Sequence, residues 1–190
     1  MPSPVGHTLA GLCGYLLTKT YAFKRLNRQQ LLISSVLISN LPDLDMLPGL
    51  LLFGEPGRFH RQASHSLLVA LPIGVLIAMV LKRFRIRGRW WIWAAGLYSV
   101  HILLDMLVVD PLPPSGVQAF WPFTPEYFIL PFQIFAGFKY TSVGQGLIQT
   151  VLSLHNLMTV LREIALLGPL VWCTWYVTTK LYSVRNKSHR

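Results

Sequence analysis

The chain has 190 residues, of which 53% are hydrophobic and only 13% are charged, and its formal net charge is +10 at pH 7. This length suffices for one domain with a full core, but so apolar a composition is untypical of a soluble protein. Several apolar stretches approach the ~20 residues that cross a bilayer. The composition therefore predicts an all-α, polytopic membrane protein with one membrane-embedded domain, residues 1–190.

The positive charge is concentrated at the ends of apolar segments. Thirteen of the 17 basic residues lie in three short clusters, at 19–28, 82–89 and 180–190. Basic clusters beside membrane spans are typical of cytoplasmic loops, and they also attract anionic lipid headgroups. We therefore expect membrane lipids as partners, and the placement of the charge argues against nucleic-acid binding.

Four apolar segments follow one another in the first 109 residues, at 7–23, 29–41, 65–81 and 90–109. The first is rich in glycine, which suits close helix packing in a membrane, and no basic region precedes it, so no cleavable signal peptide is expected. Pro42 predicts a break or kink at the end of the second segment. Ser64 is a predicted N-cap for the third. Trp90, Trp91 and Trp93, which begin the fourth, are expected at the membrane interface.

The rest of the chain changes character at residue 110. Residues 110–146 contain six prolines interleaved with aromatic residues, which predicts a structured loop or cap over a site. Residues 147–190 predict a short helix, a membrane span broken near Gly168 and Pro169, and a basic tail. The expected organisation is a helical core at 1–109, the loop at 110–146 and the carboxyl-terminal helices at 147–190, with four or five spans in all.

The positive-inside rule brings the polar residues of the apolar segments to one face of the membrane. If the basic clusters are cytoplasmic, the amino terminus lies outside and the opposite ends of all four spans face outward. Seven candidate metal ligands then share that outer face: His7, Asp43, Asp45, His60, His65, His101 and Asp105.

The spacing of these residues fits a shared site. His101 and Asp105 are four residues apart, so they lie on one helix face about one turn from each other. Asp43 and Asp45 follow the break at Pro42, where an extended turn could direct both at one ion. Histidine and carboxylate ligands without a thiolate suit zinc or manganese, and seven ligands suffice for one ion or for two ~3.5–4 Å apart that share a carboxylate.

A pair of metal ions would activate water for attack on a phosphoester or a similar bond. Asp45 or Asp105 could serve as general base instead of binding metal. Arg58 and Arg61 could hold a phosphate, and we take Asp45, Asp105 and Arg61 as candidate catalytic residues.

Each part of this pattern also has a simpler interpretation. The Pro-Asp-Leu-Asp sequence at 42–45 is also typical of a helix stop followed by a turn. His101 and Asp105 could form a buried ion pair or a proton relay, and Arg58 and Arg61 could be surface charges. The seven residues together favour a metal site.

The order of five motifs resembles one family. The chain contains an early His-x-x-x-Gly at 7–11, then NLPDLD, FHRQASHSLL, HILLDML and GVQAFWPF. This order, from residue 7 to residue 123, resembles the YdjM-type membrane-bound metal-dependent hydrolases, also described as LexA-binding, inner-membrane-associated hydrolases. The chain has Ser64-His65-Ser66 where that family usually has Thr-His-Ser, a change that keeps a hydroxyl.

The resemblance implies a bacterial inner-membrane enzyme that is distantly similar to zinc-dependent phospholipase C and single-strand nucleases. Carried over by motif, the same seven histidines and aspartates would be the ligands of its metal centre or their close support. The expected function is hydrolysis of a phosphoester in a small-molecule, lipid or lipid-linked substrate, with the metal site toward the non-cytoplasmic face. The alternative is a non-catalytic membrane protein with a structural or regulatory metal or ion-pair cluster.

Overall fold

The protein is almost entirely helical. A computed structural model describes residues 1–18, 26–86, 88–110, 114–140 and 146–187, with the side chains of the last helix described up to residue 180. Its helices are α1 (Pro4–Thr18), α2 (Arg28–Ser39), α3 (Met46–Phe53), α4 (Leu67–Arg83), α5 (Trp90–Asp105), α6 (Leu147–Val151) and α7 (Leu154–Lys187). The only strands in this described part are the two-residue β1 (Val108–Val109) and β2 (Phe135–Ala136), which pair in parallel. The predicted all-α class is confirmed.

The break predicted at Pro42 separates α2 from α3. Asn27 and Gln30 form a reciprocal capping box that starts α2. After Asn40 the chain tightens into a 3-10 helix, Leu41–Asp45, with Pro42 in its first turn, and the following segment is bent by 55° from α2. This bend places Asp43 and Asp45 at the end of α2 that faces the other candidate ligands.

The start of α4 differs from the prediction. Ser66, rather than Ser64, is the N-cap, because its hydroxyl accepts the amide of Leu68 at 3.2 Å. The two residues before it belong to a second 3-10 turn, Ala63–His65. Ser64 is thereby released from capping, and its hydroxyl donates to Asp45.

Glycines in α1 permit the close helix packing that the sequence predicted. A methyl group added at Gly11 would lie 2.5 Å from the Ser39 hydroxyl oxygen, and one at Gly14 would lie 2.3 Å from a methyl carbon of Leu97. These contacts leave no room for a side chain. α1 is thus seated directly against α2 and α5.

The tryptophans at the start of α5 divide between core and surface. Trp90 and Trp93 are buried in a cluster with Leu31 and Leu97, whereas Trp91 is exposed. The expectation that all three are interfacial anchors is therefore wrong for two of them. Helix periodicity explains the split, since residues 90 and 93 share a face that turns toward α2.

The predicted break near Gly168 and Pro169 is also wrong, because α7 is continuous from Leu154 to Lys187 with Pro169 inside it. A proline removes one backbone hydrogen bond, which a long membrane helix tolerates when its neighbours compensate. α7 runs parallel to α1, because their contacts advance in the same direction along both helices. Ser3 contacts Glu163 at one end, and Cys13 contacts Thr174 farther along.

In the described part of the chain, one helical stretch is long and apolar enough to cross a membrane alone, Leu154–Lys180. A second results if α2 and the bent segment Leu41–Phe53 are counted as one span. The predicted number of four or five spans stays a prediction. Parts of the three predicted basic clusters and of the loop 110–146 lie outside the described residues, namely 19–25, 87, 111–113, 141–145 and 188–190.

Candidate metal centre

Five elements bring the candidate ligands to one end of the helix bundle. His7 lies in the first turn of α1, and Asp43 lies in the 3-10 helix that follows α2. His65 ends the 3-10 turn that precedes α4, after a loop that carries His60. That loop turns at Arg61, which has a φ of 68°, a left-handed conformation uncommon outside glycine. His101 and Asp105 lie in the last turns of α5, so the predicted convergence is present.

The first ligand group consists of His7, Asp43, His101 and Asp105, whose ligand atoms all lie within 4.8 Å of one another. His7 Nε2 is 3.4 Å from Asp105 Oδ1, and His101 Nε2 is 3.4 Å from Asp43 Oδ1. These distances exceed an ordinary hydrogen bond. They match the separation of about 3.4 Å between two ligands on one tetrahedral ion with bonds of about 2.1 Å.

The second group consists of Asp43, His60 and His65. His65 Nε2 lies 3.5 Å from Asp43 Oδ1, and it also lies 3.1 Å from Asp105 Oδ2. Asp43 belongs to both groups found in the described residues. A carboxylate that belongs to both groups could be shared by two ions.

The proton on His101 can be assigned from its hydrogen bonds. His101 Nδ1 lies 2.8 Å from the carbonyl oxygen of Ser39, which can only accept, so Nδ1 carries a proton. In the neutral ring the lone pair is then on Nε2, which is 3.2 Å from His65 Nε2 and faces the carboxylates. A backbone contact of this kind fixes the orientation of a metal-binding histidine.

Asp45 lies behind the histidines rather than between them. His60 Nδ1 donates to its Oδ1 at 2.9 Å, and His65 Nδ1 lies 3.1 Å from its Oδ2, which also accepts the hydroxyl of Ser64. Neither ligand group in the described residues includes Asp45. The carboxylate orients both rings and leaves His65 Nε2 facing Asp43 at 3.5 Å, as in a carboxylate–histidine–metal arrangement.

The histidine side chains are deeply buried. His7, His65 and His101 are 0% exposed, and His60 and Asp105 are 4% exposed. Burial lowers the pKa of the His60 imidazole below its ordinary value, and the opposing effect of Asp45 is smaller. The neutral form of His60, which is the form that can bind a metal, is therefore favoured at pH 7.

Several polar atoms in this cluster have no hydrogen-bond partner among the described residues: both ring nitrogens of His7, both carboxylate oxygens of Asp43 and of Asp105, and Nε2 of His60. Buried polar atoms are almost always paired, and an unpaired one costs free energy. Seven in one cluster indicate a missing partner, and one with a positive charge would satisfy both the nitrogen lone pairs and the carboxylates. The residues fit a divalent cation.

The two arginines of the site loop have different partners. Arg58 is exposed, pairs with Glu55 at 3.5 Å and lies over the ring of Phe53. Arg61 is mostly buried and forms an ion pair with Asp110. The backbone carbonyl of Arg61 also accepts the amide of Gln118 at 3.0 Å. Arg61 therefore joins the ligand loop to residues 110–140.

Sequence reasoning missed the residues that surround the cluster. The ring of Tyr140 packs edge-on against His60 with centroids 5.7 Å apart, and the hydroxyl of Tyr98 donates to the carbonyl of Ser64 at 2.6 Å. No spacing pattern marks either tyrosine. Asn156 and Glu163 of α7 are also buried close to the ligand-bearing segments, and polar residues seven apart in an apolar helix were a signal that could have found them.

Fold and site together define a class: a helical membrane protein with a buried histidine and aspartate cluster able to hold metal. The chain belongs to the YdjM inner membrane protein family, whose model matches residues 1–186. It is similar to the inner membrane protein YbcI of Escherichia coli (strain K12), with 28% identity over 150 residues, which cover 75% of this chain and 83% of that protein. No solved structure matches the chain. The predicted family and location in the inner membrane are confirmed.

Proposed function

We propose that this protein is a metal-dependent hydrolase of the bacterial cytoplasmic membrane, acting on phosphoester bonds of a lipid or lipid-linked substrate. The observation that carries the proposal is the pair of ligand groups that share Asp43, with seven buried polar atoms that have no hydrogen-bond partner among the described residues. Nitrogen and oxygen donors without thiolate favour zinc, with manganese as the second choice.

The two groups assign distinct tasks to the residues. His7, Asp43, His101 and Asp105 would hold one ion, and Asp43, His60 and His65 would hold a second. When bound, such ions supply Lewis acidity to a phosphoryl oxygen and lower the pKa of water. Of the two predicted general bases, Asp105 is in a ligand group, and both oxygens of Asp45 already accept from His60 and Ser64. Asp45 would therefore orient the histidines, and a general-base role for either carboxylate stays a prediction.

Arg61 is the residue that we assign to phosphate binding. Its guanidinium is held by Asp110 beside the ligand loop, and a phosphate could take over the bidentate contact that a carboxylate makes with arginine. The exposed Arg58, paired with Glu55, is the weaker candidate.

The membrane arrangement supports a substrate drawn from the lipid. We propose four spans, or five, with the metal centre toward the non-cytoplasmic face, because the ligand groups and the described residues of the basic cluster, 82–86 and 88–89, lie at opposite ends of α4 and α5. These helices have 17 and 16 residues, about 24–26 Å, which a locally thinned bilayer accommodates. Beside the site, α3 exposes Leu51 and Leu52 by 79% and 72%, as expected of a helix in the interfacial region.

Metal analysis of the purified protein tests the proposal. We expect one or two zinc or manganese ions per chain in the wild type and a lower metal content in His65→Ala, since His65 Nε2 lies within 3.5 Å of both Asp43 and Asp105. Hydrolysis of a panel of lipid and small-molecule phosphodiesters should be lost in the same variant. His155→Gln is the matched control, because it removes a histidine outside both groups but keeps a donor for the carbonyl of Gly137.

A wild type without stoichiometric transition metal, or His65→Ala with unchanged metal content, would overturn the proposal. The second candidate function is a structural or regulatory cluster without turnover. The complete burial of His7, His65 and His101 favours it, because a buried site restricts substrate access. It predicts that a chelator lowers the unfolding temperature while the metal-loaded protein hydrolyses none of the phosphodiesters, whereas a hydrolase regains turnover when metal is restored.

A further inference from the structure

One face of α7 carries buried polar residues along an otherwise exposed helix. Asn156, Thr159 and Glu163 are each at most 1% exposed. Their spacing of three and four residues places them on one stripe of the helix. Leu157 and Leu161, on other faces, are 55% and 50% exposed. We call Asn156, Thr159 and Glu163 the polar face of α7.

Glu163 holds the beginning of α1. Its carboxylate accepts the backbone amide of Ser3 at 2.6 Å and also the Ser3 hydroxyl. The hydroxyl oxygen of Ser3 in turn accepts the amide of Val5 at 3.1 Å, and the carbonyl of Ser3 accepts the amide of His7. A carboxylate at a helix N-terminus is stabilised by the unpaired amides of the first turn. Glu163 is therefore two hydrogen bonds from the backbone of a proposed ligand.

Asn156 holds the segment that packs on His60. Its side-chain oxygen accepts the amide of Lys139 at 2.8 Å, and its side-chain nitrogen donates to the carbonyl of the same residue at 2.6 Å. This two-way contact fixes the backbone next to Tyr140, whose ring lies against His60 at 88°. The amide of Phe138 donates to the carbonyl of Met1 at 2.9 Å, so this segment and the start of α1 are joined.

We propose that Asn156 and Glu163 are positioning residues for the metal centre, each acting on one ligand group. Glu163 acts through Ser3 and α1 on the group that contains His7, and Asn156 acts through Lys139 and Tyr140 on the group that contains His60. This inference rests on the proposed metal site, because the residues named for the two groups all lie outside α7. α7 then does more than anchor the chain in the membrane.

Thr159 provides a control within the same face. Its hydroxyl donates to the carbonyl of His155 in its own helix at 3.0 Å. Thr159→Val removes a buried polar group from the polar face of α7 without removing a contact to α1 or to residues 137–140. Glu163→Gln replaces one of the two carboxylate acceptors for Ser3 with an amide donor. Asn156→Leu removes both contacts to Lys139. Both changes alter the side-chain volume little.

The test is a titration of the full-length protein in detergent with cobalt(II), in which visible absorption measures the bound metal. We expect Glu163→Gln to weaken the binding of one of the two ions by roughly 10–100-fold, as for other residues that orient ligands. Asn156→Leu should weaken the binding of the other ion. The variants His7→Ala and His60→Ala each remove a ligand from one group and so identify which ion is affected. Adding Glu163→Gln to His7→Ala should cause no further loss at that ion, because coupled residues are non-additive. Thr159→Val should bind both ions as the wild type does.

Hydrogen exchange of the metal-free protein gives a second measurement. We expect faster exchange at residues 5–8 in Glu163→Gln and at residues 138–140 in Asn156→Leu, with neither change in Thr159→Val. The positioning roles are refuted if exchange at both segments is unchanged, or if all three variants weaken both ions equally. A wild type that binds no cobalt while the exchange pattern is as expected refutes the metal site alone, so the two failures can be told apart.

Discussion

Two aspartates two residues apart take different positions in the cluster. Asp43 reaches both ligand groups and has no hydrogen-bond partner within the described residues, whereas Asp45 accepts from His60 and lies against His65 and Ser64. The 3-10 helix that contains Pro42 separates their side chains, because three residues per turn place residues two apart on different faces. We expect Asp43 to bind metal and Asp45 to orient the rings that bind it.

Substitution of each aspartate tests this difference at the residue scale. Asp43→Ala should abolish binding of both ions, because it removes the shared ligand. Asp45→Asn keeps the volume but weakens the acceptor for His60 Nδ1 and His65 Nδ1, and we expect roughly 10–100-fold weaker metal binding. Isothermal titration with zinc measures both, with the exposed Glu55→Gln as the control. Complete loss of both ions in Asp45→Asn would place that carboxylate among the ligands instead.

At the scale of elements, the site depends on how closely α1 approaches its neighbours. His7 can reach Asp105 because Gly11 and Gly14 let α1 contact α2 and α5 without intervening side chains. Small residues have this role in membrane helix pairs generally, where packing replaces the hydrophobic effect. A change in this contact surface should therefore alter both stability and metal binding.

Gly11→Ala tests the close approach of α1. The added methyl would lie 2.5 Å from the Ser39 hydroxyl oxygen and 3.0 Å from the Ser35 carbonyl oxygen, so we expect a destabilisation of about 1–3 kcal/mol. The same displacement should weaken metal binding, because Ser39 also holds His101. Thermal unfolding in detergent measures the first effect.

Gly96→Ala is the matched control in α5, since none of the residues that the structure describes contacts its added methyl within 4 Å. We expect it to be neutral or to stabilise the helix by up to about 1 kcal/mol. An unfolding temperature of Gly11→Ala equal to that of Gly96→Ala would contradict the packing that we describe.

At the scale of the whole molecule, the directions of the helices place the ligand groups and the second basic cluster at opposite ends of the bundle. The first turn of α1, the last turns of α5, the end of α2 and the residues before α4 meet at one end of the bundle, where the ligand groups lie. The described residues of the second basic cluster, Lys82, Arg83, Arg85 and Arg89, lie at the other end of α4 and α5. Since basic loops are retained in the cytoplasm, the metal centre should face the opposite side of the membrane.

Reporter fusions test this orientation. A reporter that is active only in the cytoplasm, fused after Arg85, should be active, and one fused after Gly57 should be inactive. A reporter active only outside the cytoplasm should give the opposite pattern at the same two positions. Activity of the cytoplasmic reporter after Gly57 would mean that the ligand groups face inward, and the proposed outer-leaflet substrate would then be excluded.

The sequence by itself determined the class of protein, the approximate positions of α1, α2, α4 and α5, and the histidines and aspartates that converge at one end of the bundle. Apolar segments and Pro42 marked the helices because hydrophobicity and proline act locally. The histidines and aspartates could be recognised because few ionisable residues are tolerated in such segments. The positive-inside rule predicted that these residues share one face of the membrane. The helix directions in the structure agree, because they bring the same residues to one end of the bundle.

Only the tertiary structure decided how those residues divide their tasks. That Asp43 is shared, that Asp45 lies behind two histidines and that Ser66 caps α4 depend on backbone conformations between helices, which local propensity does not specify. The continuity of α7 through Pro169 and the burial of Trp90 and Trp93 depend on which neighbour each face meets. The contacts of Asn156 and Glu163 join residues more than 15 and more than 150 positions apart, and only the packing of α7 beside α1 brings those residues into contact.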